Sequence, residues 1–131
     1  MVLDENQQVE LNELSRRILG AAVEGHKILG PGLLGSAYEE AVCHEFTLRG
    51  LSFERQKAVP VQYKDVKLSC GYRLDLLVEN KIVVELKAVK QIEPIFEAQL
   101  LTYLKQLELW LGLLLNFNVP VMKQGIRRVV N

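Results

Sequence analysis

The sequence predicts a single α/β domain in which helices flank a central mixed sheet of four to five strands. Apolar residues recur at helical spacing over the first part of the chain, strand-like alternation follows from Phe53 to Val89, and a strand-helix-strand segment comes last. The predicted order is α-α-β-β-β-α-β-β. A chain of 131 residues can bury a core but is too short for two ordinary domains, so we assign residues 1–131 to one domain.

Two helices are predicted first. One runs from Leu11 to Leu29 and ends before the helix-breaking Gly30-Pro31-Gly32. The other runs from Leu33 to Leu48 and stops at Gly50. Residues 1–10 are polar and acidic, and we expect them to form a loose N-terminal segment.

Three antiparallel strands are predicted next, over Phe53–Lys64, Lys67–Val78 and Lys81–Val89. Pro60 lacks a backbone N–H, which favours an edge position or a bulge in the first of them. The run IVVEL in the third is apolar on both faces, as is typical of a central strand.

A third helix is predicted to open at Glu93-Pro94 and to end near Leu109, because proline is tolerated in the first turn. Strands are predicted to follow at Leu111–Val119 and Ile126–Val130. A helix between two strands of one sheet implies a right-handed parallel crossover.

Composition narrows the function only weakly. Lys plus Arg equals Asp plus Glu at 16 each, so any nucleic-acid binding must come from a local basic patch. Cys43 and Cys70 lie in no CxxC pair, which fits reduced thiols, and we expect no catalytic cysteine. No signal peptide is apparent and no apolar run reaches the roughly 18 to 20 residues of a membrane span. We therefore expect a cytoplasmic protein with no membrane association.

Asp75 and the segment Glu85-Leu86-Lys87 are the most informative feature, because they place three charges inside otherwise apolar strands. An unpaired buried charge is costly, so the three imply mutual pairing, a metal ion or an anionic ligand. The pairing alternative joins Asp75 to Lys87, or Arg73 to Glu85, as ion pairs on a half-exposed face.

The geometry depends on the turn between the two strands. A three-residue turn at Glu79-Asn80-Lys81 makes Asp75 face Glu85 directly, about 5 Å apart at Cβ, with Lys87 on the same face. A two-residue turn would pair Asp75 with Val84 and separate the carboxylates. Two carboxylates this close repel each other unless a cation lies between them, and their hard oxygens suit magnesium or manganese.

An acidic residue on one core strand, Glu-x-Lys on the next and Gln99-x-x-x-Tyr103 on the following helix resemble the PD-(D/E)XK nuclease superfamily, particularly its RecB-like branch. At closer range, LGPGLL and SAYEEAV around Gly32 and Tyr38, with LGLLLNFNVP and IRRVVN, resemble the small bacterial and archaeal GxxExxY family. The resemblance runs from about Leu14 to Asn131 and implies a restriction-endonuclease-like core.

The resemblance implies a role for each site residue. Asp75 and Glu85 would hold Mg²⁺ or Mn²⁺ with the backbone carbonyl of Leu86, while Lys87 positions or deprotonates the attacking water. Gln99 would hydrogen-bond that water, Lys87 or a phosphate, and Tyr103 a phosphate or a base. Arg73 is the further candidate for contact with nucleic acid.

This chain departs from the family pattern at Gly35, where the name-giving glutamate of GxxExxY would stand. Glu39 lies one helical turn further along the same face and is our candidate to replace it as a metal ligand. Glu40 points about 100° away and is the weaker candidate.

The leading hypothesis is therefore a magnesium-dependent nuclease that hydrolyses phosphodiester bonds in DNA or RNA. The alternatives are a catalytically weakened nuclease-fold module that binds nucleic acid or a protein partner, and a structural protein whose charges form a buried network. An exposed edge strand also leaves a homodimer open.

Overall fold

Two helices open the chain. In the computed structural model, which describes residues 1–131, α1 spans Glu5–Leu29 and α2 spans Gly35–Leu48. The first helix begins at Glu5 rather than Leu11 because Asp4 and Gln7 form a capping box. The Asp4 carboxylate accepts from the Gln7 N–H at 2.8 Å, and the Gln7 side chain accepts from the Asp4 N–H at 2.9 Å. Most of the segment expected to be loose is therefore helical.

The connection between the helices is fastened by Tyr38, a buried residue of α2. Its hydroxyl donates to the Gly30 carbonyl at 2.6 Å and accepts from the Leu33 N–H at 3.1 Å. Leu34 keeps an extended backbone as the N-cap, so α2 starts at Gly35 rather than Leu33. The tyrosine thus holds the glycine-rich turn against the helix that follows it.

A five-stranded mixed sheet forms the centre of the molecule in the order β1-β4-β5-β6-β7. The strands span Phe53–Ala58, Arg73–Val78, Ile82–Lys87, Leu111–Asn116 and Ile126–Val130. All neighbours pair antiparallel except β5 and β6, which are parallel and joined through α3, Pro94–Leu107. The mixed sheet, the central position of the IVVEL strand and the parallel pair agree with the sequence prediction.

Two of the predicted strands are each broken in two. The first divides into β1 and β2 (Val61–Tyr63), and the second into β3 (Val66–Leu68) and β4. Pro60 has no N–H to donate and restricts the residue before it, while Gly71 adopts a φ of 69°. β2 and β3 consequently pair with each other in a separate two-stranded sheet. We call residues 59–72, which contain this sheet, the hairpin arm.

Other predicted elements end earlier than expected. α3 stops at Leu107 because Glu108 turns left-handed, with a φ of 55°. β6 stops at Asn116, whose side chain forms hydrogen bonds with the backbone of Val89 in the segment after β5. The chain then passes through a 3₁₀ helix, Met122–Gly125, into β7.

The sheet separates two apolar clusters. The larger one contains residues of α1 and α2 and alternate residues of the central strands, such as Leu76, Val84 and Leu113. The smaller one packs α3 against the opposite side through Leu100, Tyr103 and Leu104. No helix combines the length and apolar character needed to span a bilayer. Asp75 in β4 and Glu85 and Lys87 in β5 lie toward one end of this sheet, whose two faces are both covered by helices.

Candidate functional site

The turn between β4 and β5 has the three-residue form. Val78 pairs with Ile82, Leu77 with Val83 and Leu76 with Val84, so the register sets Asp75 opposite Glu85. The two-residue alternative is excluded.

The turn is anchored at the start of β1. Glu79 and Asn80 have φ values of 52° and 56°, and the Lys81 N–H donates to the Val78 carbonyl at 2.9 Å. The Glu79 carboxylate accepts hydrogen bonds from the Ser52 N–H and hydroxyl, and the Glu79 N–H donates to the Ser52 carbonyl. These bonds stabilise a left-handed backbone at Glu79 that a non-glycine residue seldom adopts.

Backbone pairing between β4 and β5 stops one step before Asp75 and Glu85. There, side-chain oxygens accept the hydrogen bonds of the backbone amides. The Asp75 N–H donates to Glu85 Oε1 at 3.0 Å, and the Leu86 N–H donates to Asp75 Oδ2 at 2.8 Å. Each carboxylate is thereby held against the facing strand. The two acids form one interlocked unit where the strands open.

The electrostatics of this unit are unfavourable for two negative charges. Glu85 is only 5% exposed, and burial together with the charge of Asp75 raises its pKa from 4.5 to about 8. Lys87 acts in the opposite direction but more weakly. A bound cation would offset both the desolvation cost of a buried charge and the repulsion between the two carboxylates.

Asp75 opens into a pocket of about 280 Å³ between α2 and the strand end. Six residues line it: Gly35, Ser36, Glu39, Gln56, Asp75 and Leu86. An added Cβ at Gly35 would meet nothing within 4 Å. Gly35 therefore lines the pocket at a point with room for a side chain.

Glu39 lies in the same pocket, but its carboxylate is already bonded. One oxygen accepts from Arg55 Nη2 at 2.8 Å, and the other accepts from Gln56 Nε2 at 2.9 Å. The structure has no group of three or more His, Cys, Asp or Glu side chains arranged to hold a metal ion. Glu39 is thus near the paired carboxylates without joining them.

Lys87 follows Glu85 by two residues and extends along the same side of β5. Its ammonium lies 4.6 Å from the centroid of the Phe96 ring in α3. Neither Asp75 nor Glu85 forms an ion pair with Lys87, Arg73 or any other cationic side chain. The simple ion-pair alternative is therefore absent from the structure.

The two residues on α3 are placed differently. Tyr103 is buried, and burial, followed by the charges of Glu85 and Asp75, raises its pKa. Its hydroxyl is therefore close enough to respond to both acids. Gln99 is half-buried one turn earlier and makes no hydrogen bond to Lys87 or to either acid.

Arg73 lies at the exposed start of β4, where its guanidinium donates to the Gln56 carbonyl at 3.1 Å. Gln56 was not a sequence candidate, yet it contacts both Arg73 and Glu39 and has a φ of 51° opposite Asp75. This distortion of the edge strand has no signal in the sequence.

Asn116 is a second residue that sequence reasoning missed. It is 2% exposed, and its side chain accepts from the Val89 N–H at 3.0 Å and donates to the Val89 carbonyl at 2.9 Å. These bonds hold the segment that leaves β5 just after Lys87. A lone polar residue at the end of the apolar run LGLLL was the available signal.

The donor set at the strand end fits a hard divalent cation. Asp75 and Glu85 bring two carboxylates together, and carboxylate oxygens are ligands that such cations prefer. By contrast, Cys43 is buried, and burial raises the pKa of its thiol to about 11, so it is unreactive.

Comparison with known proteins agrees with this geometry. A family model described as the PD-(D/E)XK nuclease superfamily matches residues 12–129, which is most of the chain. No curated protein and no solved structure matches the chain significantly. On the extent of that match, and with the mixed sheet and the paired acids already described, the chain belongs to the PD-(D/E)XK nuclease superfamily.

Proposed function

We propose that this protein is a divalent-metal-dependent nuclease that hydrolyses phosphodiester bonds in DNA or RNA. The observation that carries the proposal is the interlocked pair of Asp75 and Glu85, two acids held together at an open strand end with no cationic partner. Membership in a nuclease superfamily supports the same reaction. The motif blocks around Gly32 and Tyr38 further favour the GxxExxY family, and Gln99-x-x-x-Tyr103 favours the RecB-like branch.

Asp75, Glu85 and the Leu86 carbonyl are the residues that would hold Mg²⁺ or Mn²⁺. Such an ion acts as a Lewis acid toward the phosphate and makes water a better nucleophile at neutral pH. The hydrogen bonds from the Asp75 and Leu86 amides keep both carboxylates oriented before any ligand arrives. This preorganisation reduces the cost of assembling the site.

Lys87 is the residue we assign to the attacking water. Its ammonium is held over Phe96 and is free of any carboxylate, so it is available to donate a hydrogen bond that positions that water. Gln99 and Tyr103 lie on α3 and would orient the water or a phosphate oxygen from that side. Arg73 at the start of β4 would bind a neighbouring phosphate.

Glu39 has a conditional role in this proposal. It can add a ligand to the metal only after exchanging its bonds to Arg55 and Gln56. An incoming phosphate is the natural competitor for Arg55, since guanidinium groups bind phosphate and carboxylate in the same manner. We therefore expect Glu39 to contribute less than Asp75 and Glu85.

The test is cleavage of single-stranded, double-stranded and structured DNA and RNA with Mg²⁺ or Mn²⁺. We expect Asp75→Asn, Glu85→Gln and Lys87→Met each to lower the rate by about 100-fold or more, as is typical for removing a catalytic group. Glu97→Gln in α3 and Lys90→Met between β5 and α3, both at exposed positions, are the matched controls. Circular dichroism would verify that all variants fold.

A second readout does not depend on turnover. The melting temperature of the wild type should rise on adding Mg²⁺ or Mn²⁺, because a ligand of the folded state stabilises it, while Asp75→Asn should respond little. Equal cleavage by the wild type and the Asp75 and Glu85 variants would contradict the proposal. Nucleic-acid binding without cleavage or metal response would instead support the weakened binding module.

A further inference from the structure

The hairpin arm is set apart from the rest of the fold. β2 and β3 pair with each other and not with the five-stranded sheet. A weak bond from the Gln62 N–H to the Gln106 side chain, at 3.4 Å, links the arm to α3. Five of the six strand residues are exposed. An isolated two-stranded hairpin is only marginally stable in water, so an arm of this kind needs a reason to be retained.

One face of the arm is apolar. Val61 pairs with Leu68 and Tyr63 with Val66, and directly paired residues share a face, so these four side chains lie together. Gln62 and Lys67 pair on the other face. Tyr63 is 60% exposed and Val66 is 57% exposed, so the apolar face is open to a ligand.

The arm is also basic. The arm itself has two basic residues, Lys64 and Lys67, and one acidic residue, Asp65, which is a net charge of +1, and Lys57 and Arg73 flank it on both sides, in a protein whose formal net charge is +0. Lys64 at the tip lies 5.5 Å from the centroid of the Tyr63 ring. An apolar protein partner alone would not require this charge, whereas a polyanion with flat apolar groups matches both properties.

The arm leads directly into the site. It continues the β1–β4 ladder, since Ala58 pairs with Arg73 and the Val59 N–H donates to the Tyr72 carbonyl at 2.8 Å. Asp75 follows Arg73 by two residues on the same strand. A ligand lying along the arm would therefore reach the end of the sheet that holds the paired acids.

We propose that the hairpin arm binds single-stranded nucleic acid and guides it to the Asp75 and Glu85 site. Unpaired bases can stack on Tyr63 and cover Val66 and Leu68, while the lysines contact phosphates. A duplex hides its base faces and cannot use the apolar side of the arm. This inference rests on the proposed nuclease function and names the form of substrate that the site would receive.

The experiment is fluorescence anisotropy with a labelled single strand of about 20 nucleotides, longer than the sites such surfaces cover, in EDTA to prevent cleavage. We expect Tyr63→Ala to weaken binding about tenfold, and Tyr63→Phe to bind like the wild type because it keeps the ring. A duplex of the same sequence should bind more weakly and be indifferent to Tyr63→Ala.

The lysines have their own readout. The double variant Lys64→Gln/Lys67→Gln should lower the slope of log K against log salt by about 1.4, the value for two lost phosphate contacts on a single strand. Lys81→Gln is the matched control, because Lys81 lies in the β4–β5 turn at the far end of β4. It should leave the slope unchanged.

Three results would overturn the inference: wild-type affinity in Tyr63→Ala, equal affinity for duplex and single strand, or a wild-type dimer that Tyr63→Ala dissociates. The last would assign the apolar face to a second copy of the chain. Because binding is measured without divalent metal, it is independent of turnover. Cleavage that needs Asp75 but not Tyr63 would refute the arm alone, and arm binding without cleavage would refute the nuclease proposal alone.

Discussion

At the scale of single residues, Asp75 and Glu85 combine two functions in one arrangement. Their carboxyl groups accept hydrogen bonds from backbone amides where the ladder between β4 and β5 ends, and ionising both would concentrate negative charge in a partly buried place. The first property keeps the strand ends ordered, and the second is unfavourable without a cation. We therefore expect stability and the proposed metal binding to be coupled at this pair.

The raised pKa of Glu85 predicts how stability depends on pH without metal. The group keeps its proton up to about pH 8 in the folded protein but loses it near its ordinary pKa of 4.5 when unfolded. Between those values unfolding releases a proton, so stability is full below the lower value and falls as pH rises toward the upper one. The limit for one proton is about 1.4 kcal/mol per pH unit.

Urea unfolding in EDTA at about pH 5 and about pH 8 would measure this linkage. Glu85→Gln should flatten the pH dependence and be more stable than the wild type at the higher pH. The exposed Glu97→Gln should behave like the wild type. A Glu85→Gln protein that loses stability with pH as steeply as the wild type would refute the assignment.

Gly35 is the residue where the chain departs from the GxxExxY pattern that its sequence resembles, and the open space beside it makes the change testable. Gly35→Glu would place a carboxylate in the pocket that holds Asp75, at the N-terminal end of α2, where a negative charge is favourable. We expect affinity for Mn²⁺ to rise about tenfold, at the low end of what groups around a metal site contribute.

Calorimetric titration with Mn²⁺ would check this, with Gly35→Gln as the control of equal shape and no charge. Cleavage should increase in parallel. An equal gain in both variants would attribute the effect to helix propensity rather than to the restored carboxylate.

At the scale of elements, the 3₁₀ helix packs against the end of β6, and the end of β6 holds the segment that follows Lys87. Gly125 passes so close to Asn116 that an added Cβ would overlap its backbone carbonyl oxygen. Asn116 in turn bonds Val89, in the segment that leaves β5 after Lys87. We therefore expect a change at Gly125 to disturb Asn116 and the Val89 segment that it bonds.

Gly125→Ala should lower the free energy of unfolding by about 1–3 kcal/mol, the usual cost of forcing atoms into a packed region. Gly35→Ala adds the same methyl group in open space and should cost little. Urea denaturation of the two variants provides the comparison. Equal stability of Gly125→Ala and the wild type would show that the 3₁₀ helix can shift freely.

The elements also show which features of the fold can be predicted from local sequence patterns and which cannot. The capping box of Asp4 and Gln7 was present in the sequence, so the early start of α1 could have been predicted from it. Pro60 indicated an edge or bulge, and β1 is indeed an edge strand. The separate hairpin arm was not predictable, because alternation continues through residues that leave the sheet.

At the scale of the whole molecule, the sequence by itself determined the α/β class and the parallel crossover pair, whereas it left two registers open for the strands that carry Asp75 and Glu85, and the structure selected the one that sets these residues opposite each other. The class and the crossover pair follow from hydrophobic periodicity, which acts between neighbours in the chain. The motif spacing also indicated the superfamily that the family model supports.

Only the tertiary structure decided which partners those residues meet. It bonds Glu39 to Arg55 and Gln56, sets Lys87 over Phe96 and brings Tyr103 near the two acids. It also projects the hairpin arm from the strand that carries Asp75. The reason is that such contacts join segments far apart in the chain, and their geometry depends on how helices and sheet pack rather than on any local pattern.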